Sequence, residues 1–327
     1  MLIAINYHYI RPVFDHPYPG IYGVTPVQFE RQLRMLSRGG TFVSAVQLRD
    51  AIRGVAELPE KSIIVTFDDG LREQYEHAWP VLLRLGVPAI FFVNTAPIAE
   101  AKITEVHKIH LLRSYVAPEE FLRMLHDQAR NLGVSLDLHI DSNKAAFHYK
   151  YDSAEVARLK YLLNFLLTPR ERSLLIETCF RSVFPEREAE MSRALYFTKA
   201  QLAELGAHRC LGTHAHEHVP LGLLPFGDAR EQLRRSVALL EDWGGDRPIA
   251  LSYPYGSQEA CSLEVATLAA QEGIKFAFTM ERAGNPELTM PLFLARFDNN
   301  DLPGGKASSW TVDTLFEAVT PARWYRQ

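Results

Sequence analysis

The chain has 327 residues, of which 47% are hydrophobic and 23% are charged, and its formal net charge is −4. This composition is typical of a soluble globular protein with one large domain or two ordinary ones. The acidic balance argues against a general binder of nucleic acids or of anionic membranes.

The cysteines and the apolar runs limit the class of protein further. Cys179, Cys210 and Cys261 are odd in number and lack CxxC spacing, which argues against disulfides and a zinc–thiolate site. No apolar run reaches the roughly 18 residues of a membrane span. The short apolar run at the N-terminus has no basic region before it, as a signal peptide would. We therefore expect a cytoplasmic protein without a membrane span.

The first hundred residues alternate predicted strands with predicted helices. Residues 2–6 form an apolar run that predicts a buried strand ending at Tyr7 and His8. Thr25 and Pro26 are typical of the first positions of a helix. The same patterns predict strands at 42–43, 63–67 and 87–93, and helices at 44–52 and 73–85.

Residues 101–207 break this alternation. Their leucine-rich helical spacing and helix-start signals predict a helical insertion. The alternation then resumes. The predicted strands lie at 210–213, 249–252, 276–279 and 292–296, and the predicted helices at 229–243, 261–272 and 312–319. Repeated strand–helix units imply a parallel sheet covered by helices, either doubly wound or closed as a barrel.

Two adjacent carboxylates follow the predicted strand at 63–67. Asp68 and Asp69 come directly after Phe67, and Gly70 lets the backbone turn. Adjacent side chains on an extended segment point in opposite directions, so one aspartate can reach a metal while the other reaches a reacting water. An ordinary Asp-Asp-Gly turn accounts for the same residues without any chemistry.

A second polar stretch carries three histidines, His214, His216 and His218. If the stretch forms one helical turn, the four-residue spacing places His214 and His218 on one face and points His216 elsewhere. With one of the two aspartates they form a two-histidine, one-carboxylate set, which suits Zn²⁺ and also Co²⁺, Ni²⁺ or Fe²⁺. The alternative is a solvated histidine-rich loop.

A third stretch follows the predicted strand at 249–252 and could form the wall of a pocket. It consists of Tyr253, Pro254, Tyr255 and Gly256. All three stretches lie just past the C-terminal ends of predicted strands, the edge at which parallel α/β folds build their sites.

Together these motifs resemble the polysaccharide deacetylase family, the NodB-homology carbohydrate esterases. The family motif TFDDG stands at residues 66–70, and the family motif His-x-x-x-His is present as His214 and His218. The resemblance implies a distorted (β/α)7 barrel over residues 1–327, with 101–207 as a helical insertion. It also implies a divalent metal, first of all Zn²⁺, held by Asp69, His214 and His218, with Asp68 as the general base.

The chain departs from the family pattern at two points. In the family's Arg-x-Pro-x-Gly motif, Ser252 stands in the place of the arginine, and Arg296 is our candidate to replace it. An ordinary salt bridge of Arg296 is the alternative. No histidine follows His218, so the family's late general acid is missing. Circularly permuted members, which deacetylate poly-N-acetylglucosamine, open with a Tyr-His strand, and this resemblance implies that His8 is the acid rather than a core histidine.

Asp298 and Asn300 are further candidates for the rim of the site. The resemblance implies N-deacetylation of an amino sugar in bacterial surface-polysaccharide or O-antigen metabolism. The partner would be a sugar nucleotide, a lipid-linked glycan or a polymeric glycan, and the insertion could form a homodimer contact. Two alternatives are a metal amidohydrolase or deformylase acting on a non-sugar or N-formyl C–N bond, and a non-catalytic carbohydrate-binding relic.

Overall fold

The computed structural model describes residues 1–134, 140–148 and 153–324. The chain divides into two compact units. The first comprises Met1–Val13, Gly23–Lys102 and the chain from Ser192 onward, and the second comprises Phe14–Tyr22 and Ile103–Met191. The predicted organisation, one deacetylase domain with 101–207 as its insertion, remains a prediction beside this division.

Ten strands lie in the first unit among the described residues. They are β1 (Leu2–Tyr7), β2 (Tyr9–Ile10), β3 (Gly23–Val24), β4 (Thr41–Phe42), β5 (Ser62–Phe67), β6 (Ala89–Val93), β7 (Leu211–Thr213), β8 (Ala250–Ser252), β9 (Phe276–Phe278) and β10 (Phe297–Asp298). Eight of them form a parallel sheet in the order β10-β1-β5-β6-β7-β8-β9, with β4 pairing with β5. Strands β2 and β3 form a separate parallel pair.

The helices follow the strands in the alternation that the sequence predicts. The α-helices are α1 (Pro26–Leu36), α2 (Ala45–Ile52), α3 (Trp79–Leu85), α4 (Ala96–Glu100), α5 (Glu105–Tyr115), α6 (Pro118–Asn131), α7 (Ser142–His148), α8 (Ala154–Tyr161), α9 (Pro169–Val183), α10 (Glu188–Leu195), α11 (Lys199–Ala207), α12 (Phe226–Gly244), α13 (Leu263–Gln271) and α14 (Leu315–Ala318). Wider π-helical turns span Gln74–Ala78 and Leu162–Leu166. Short 3-10 turns span Leu221–Leu223, Pro291–Phe293 and Asn299–Asp301.

Local sequence accounts for the central elements. Strands β1, β5 and β6 are buried along their whole length, as parallel strands covered on both faces require. The starts of α1 and α2 carry complete capping boxes, in which Thr25 and Ser44 exchange hydrogen bonds with the glutamines three residues later. Gly86 ends α3 in the left-handed conformation (φ 64°), which glycine adopts without a Cβ clash.

Leu294 joins the two ends of the sheet. Its backbone N–H donates to Ala277 O (2.9 Å) and its carbonyl accepts from Thr279 N (2.9 Å), so it bridges to β9. Three residues later, β10 pairs with β1, with Phe297 opposite Ile5. The first unit is therefore a distorted (β/α) barrel, which confirms the predicted fold class.

The late part of the chain differs from the prediction. No strand covers 292–296, because Pro291–Phe293 forms a 3-10 turn and β10 begins only at Phe297. The π-helical turn at Gln74–Ala78 replaces the first turn of the helix predicted from residue 73. Among the helices in the described part of the chain, none has the length and apolarity needed to cross a membrane.

The second unit is helical within the described residues. Its helix α9 packs against α5 and α6. The largely buried Lys108 forms ion pairs with Glu177 and, at 2.7 Å, with Glu188. The leucine-rich spacing of this region thus forms a packed helical core of its own.

Candidate active site

The polar residues of the three sequence stretches meet at one edge of the sheet. Asp68 follows β5, His214 follows β7, and Tyr253 follows β8. His8 follows β1 at the seam of the barrel, where β1 pairs with the late strand β10. Because all of these strands are parallel, their C-terminal ends lie at the same edge. The sequence therefore places its candidate residues on neighbouring loops.

Asp69, His214 and His218 converge closely enough to hold one metal ion. One ligand atom from each residue lies within 4.8 Å of the others. Asp69 Oδ1 is 3.6 Å from His214 Nε2 and 3.5 Å from His218 Nε2. His214 Nδ1 bonds to the carbonyl of Ser252 at 2.7 Å, so Nδ1 carries the proton and the lone pair of Nε2 faces the site. This donor set fits a divalent transition metal.

The two histidines converge through a loop, so the expected helical turn is wrong. Residues 214–218 are irregular, and Ala215 (φ 60°) and His218 (φ 58°) are both left-handed. Asp69 (φ 79°) and Tyr255 (φ 64°) share this conformation. Left-handed non-glycine residues are uncommon and collect at functional sites, because surrounding contacts must hold them there.

Asp68 is almost completely buried (3% exposed) and accepts three strong hydrogen bonds. Arg296 donates to both carboxylate oxygens, at 2.8 Å and 2.7 Å, and Asn6 Nδ2 donates to Oδ2 at 2.9 Å. Burial by itself raises the pKa of this carboxyl, but Arg296, His214 and His8 outweigh burial and lower the pKa to about 2. Asp68 is therefore a fixed carboxylate at neutral pH.

Arg296 reaches Asp68 from the other side of the barrel seam, and its role as the replacement for the missing family arginine stays a prediction. Its side chain is completely buried, and it also donates to Thr66 Oγ1 (3.1 Å) and to Ser252 Oγ (2.9 Å). The guanidinium lies beside the rings of Phe92 and Phe278, 5.9 Å from each centroid. Ser252 stands where the family motif has an arginine, and its hydroxyl accepts a hydrogen bond from Arg296.

His8 is the most accessible of the candidate catalytic residues, with 38% of its side chain exposed. Its Nε2 lies 4.0 Å from Asp68 Oδ2, and His214 Nε2 lies 4.0 Å from the same oxygen. Asp68 therefore stands between a solvent-facing imidazole and the candidate metal ligands.

The third stretch divides into buried and exposed residues. Tyr253 is 1% exposed and its hydroxyl donates to Leu292 O (3.1 Å), and Pro254 is buried as well. Tyr255 is 44% exposed, and its ring lies 4.9 Å from that of His218. Gly256 (φ 59°) packs so closely on Met280 that a Cβ would lie 2.6 Å from Met280 Cγ. Tyr255 is thus the residue of this stretch that offers surface to a substrate.

Asp298 and Asn300 lie at the end of β10, and Asp298 is paired in register with Asn6. Asp298 Oδ1 accepts from the backbone N–H of Asn300 (2.8 Å) and from its side-chain amide (2.9 Å). The two residues therefore stabilise the turn beside the seam, and both are partly exposed.

Sequence reasoning missed Asn6 and Gln74. Asn6 is a completely buried amide in an otherwise apolar strand, and that exception was the available signal. Gln74 Nε2 donates to the carbonyls of Asp68 (2.6 Å) and His8 (3.0 Å), which ties the two candidate catalytic residues together through their backbones. A glutamine in a predicted helix gives no such signal.

Comparison with known proteins agrees with these motifs. Residues 56–134 match the polysaccharide deacetylase family. A stretch of 49 residues is 43% identical to the poly-β-1,6-N-acetyl-D-glucosamine N-deacetylase of Escherichia coli K12. This stretch covers 15% of the present chain and only 7% of the length of that relative.

Three solved structures share the fold over most of the chain. The Streptococcus pyogenes deacetylase PplD, in complex with acetate, superposes with a TM-score of 0.58 at 15% identity, over 98% of each chain. IcaB from Ammonifex degensii gives 0.55 at 19% identity, over 90% of each chain. The deacetylase domain of BpsB from Bordetella bronchiseptica gives 0.53 at 16% identity, over 91% of this chain and 95% of that one. At these identities the likeness concerns the fold.

Proposed function

We propose that this chain, which belongs to the polysaccharide deacetylase family, hydrolyses the N-acyl group, most simply N-acetyl, of an amino sugar. The observation that carries the proposal is the position of Asp68. It is a buried carboxylate held by Arg296, with His8 at 4.0 Å on one side and the set of Asp69, His214 and His218 on the other. Base, acid and metal ligands therefore meet around one small volume.

Asp69, His214 and His218 are the residues that would hold the metal. When bound, a divalent ion would polarise the acyl carbonyl and lower the pKa of a water molecule. Two neutral imidazoles and a carboxylate suit Zn²⁺, with Co²⁺, Ni²⁺ and Fe²⁺ as alternatives.

Asp68 takes the proton of the attacking water, whose oxygen bonds to the acyl carbon. Arg296 and Asn6 fix the carboxylate in one orientation, so that its remaining acceptor capacity faces the reacting water. His8 donates a proton to the leaving nitrogen as the C–N bond breaks. The products are a free carboxylic acid and the amine of the sugar.

Tyr255 favours a sugar as substrate, because its ring forms an open surface and does not close off a small pocket. Its exposed ring, beside His218, offers a flat apolar face on which a pyranose ring can lie. Asp298 and Asn300 supply polar groups at the neighbouring rim. The identity with the poly-β-1,6-N-acetyl-D-glucosamine N-deacetylase, although confined to 49 residues, points to a glycan of N-acetylated amino sugars.

The proposal also covers the setting of the reaction. We assign the enzyme to surface-polysaccharide or O-antigen metabolism, with a sugar nucleotide, a lipid-linked glycan or a polymer as substrate. The three cysteines, all of them buried, suit the reducing cytoplasm. We further propose that the chain is a single deacetylase domain. The helices of its second unit are our candidate for a homodimer contact.

The contact of Arg296 with Asp68 favours an enzyme over a non-catalytic relic. The absence of the family arginine at position 252 is a reason to consider a non-catalytic carbohydrate-binding protein. In this chain, however, Arg296 pairs with Asp68. A deformylase remains the second candidate, since the same residues would serve an N-formyl group, which differs only in the size of its acyl carbon substituent.

The test is incubation of the purified chain with Zn²⁺ or Co²⁺ and a panel of N-acetylated and N-formylated substrates. The panel contains sugar nucleotides and β-1,6-linked N-acetylglucosamine oligomers, with products read by mass spectrometry. Asp68→Asn is the matched control, because it keeps the size of the side chain and the proposed metal ligands. We expect deacetylation by the parent only. A metal-loaded parent that changes none of these compounds would contradict the proposal.

A further inference from the structure

Residues 214–218, which carry two of the three proposed metal ligands, form what we call the ligand loop. Its middle histidine, His216, is not part of the proposed metal set. It is buried, with Nδ1 2.7 Å from Thr95 Oγ1 and Nε2 3.3 Å from Glu100 Oε1. A carboxylate only accepts, so Nε2–H donates to Glu100 and Nδ1 accepts the hydroxyl proton of Thr95. Both partners belong to the segment that follows β6, from Thr95 to the end of α4.

The backbone of the ligand loop is attached to the same segment. The carbonyl of His216 accepts from the N–H of Ala96 (2.9 Å), and the side-chain amide of Asn94 donates to the carbonyl of His214. Ala215 precedes His216 and His218 lies two residues after it, and both have left-handed backbones that surrounding contacts must hold in place. The bonds of the His216 imidazole to Thr95 and Glu100 add side-chain contacts to these backbone anchors, and the bond to Thr95, at 2.7 Å, is the shorter of the two.

We propose that His216 is a positioning residue that presets the spacing of His214 and His218 and thereby sets the affinity for the divalent ion. The inference rests on the proposed metal site. Removal of such supporting contacts typically weakens metal binding about 10- to 100-fold. His216 is not one of the three proposed metal ligands, so an excess of metal should compensate for its loss.

The test measures the Kd for Zn²⁺ and for Co²⁺, by calorimetry or by competition with a chelator, in four test variants and one control variant. His216→Ala and Thr95→Val remove the two halves of the bond, and we expect each to raise the Kd about tenfold or more. His216→Asn keeps an acceptor at the δ position and should retain most of the affinity. His216→Gln places its amide at the ε position and should behave like alanine. The exposed His208→Ala is the control for loss of a histidine elsewhere.

The outcomes separate the inference from the proposed function. If the parent binds metal and deacetylates but the variants bind metal equally well, His216 has no positioning role and only the inference falls. If the parent binds no divalent metal, both fall. A lower melting temperature of the metal-free variants without a change in Kd also overturns the inference. Should His216→Ala fail to fold, Thr95→Val, which exchanges a hydroxyl for a methyl group of the same shape, decides the matter.

Discussion

Replacing Arg296 with methionine tests whether the arginine from the barrel seam holds the candidate base. The guanidinium is completely buried and makes two hydrogen bonds to Asp68, besides those to Thr66 and Ser252. Methionine fills much of the same volume beside the rings of Phe92 and Phe278 but carries no charge. The variant therefore leaves Asp68 buried without its cation.

The magnitude follows from the charge that loses its partner. Breaking a buried pair by removing one member usually costs about 3–5 kcal/mol of stability. The pKa of Asp68, lowered to about 2 chiefly by Arg296 with His214 and His8, corresponds to about 2–3 kcal/mol of stabilisation. A depressed carboxyl pKa stabilises the fold above pH 3.8, and this contribution is lost as the pH falls toward 2. We therefore expect a loss of about 3 kcal/mol at neutral pH, and a smaller loss near pH 3.

Urea unfolding at pH 7 and pH 3 measures this difference, and the rate of deacetylation should fall at the same time. Arg234→Met is the matched control, since Arg234 (57% exposed) pairs at the surface with Glu231 (54% exposed), where an ion pair contributes about 0–1 kcal/mol. Equal losses in the two variants, or a loss that does not shrink at low pH, would refute the role of the buried pair. In the Arg296→Met background, Ser252→Arg should recover part of both stability and rate.

Three further predictions concern single residues in or beside the site. Asn6→Leu removes the hydrogen bond from the side-chain amide of Asn6 to Asp68 and keeps a side chain of similar volume. We expect a rate loss of about tenfold or more at unchanged metal content, since hydrogen bonds to charged groups contribute about 1.5–3 kcal/mol. His8→Gln should lower kcat by about 10²- to 10⁴-fold while the metal stays bound, and a parent-like kcat would remove His8 as the acid. Gly256→Ala should destabilise the fold by more than Gly54→Ala in urea unfolding. Both glycines have positive φ, worth about 1–2 kcal/mol, but only Gly256 has close neighbours.

The elements near the candidate site were predictable because their signals are local. Strand β5 reads as an apolar run that ends in two carboxylates, and the Thr25 and Ser44 capping boxes mark the starts of α1 and α2. Burial on both faces and capping chemistry depend on residues a few positions apart. The parallel alternation then predicts that the polar strand ends share one edge.

The remaining features depend on contacts between distant segments. The ligand loop is irregular because Asn94, Thr95 and Ala96 anchor it from β6 and α4, and histidine spacing alone cannot distinguish this loop from a helical turn. Strand β10 is only two residues long, since its apolar run first bridges to β9 through Leu294. The role of Asn6 depends on Asp68, which lies 62 positions away in sequence.

The pair of Asp68 and Arg296 also has a consequence for the order in which the barrel assembles. Its members are 228 positions apart, so a chain that has paired β1 with β5 already holds the carboxylate while its cation is still distant. Burying Asp68 at that stage would be costly, and the edge around it should stay hydrated until β10 docks. Because Arg296 immediately precedes β10, a slip of one residue in this strand would turn Arg296 to the opposite face. We therefore expect the pair of Asp68 and Arg296 to favour the native register of β10 when this strand docks.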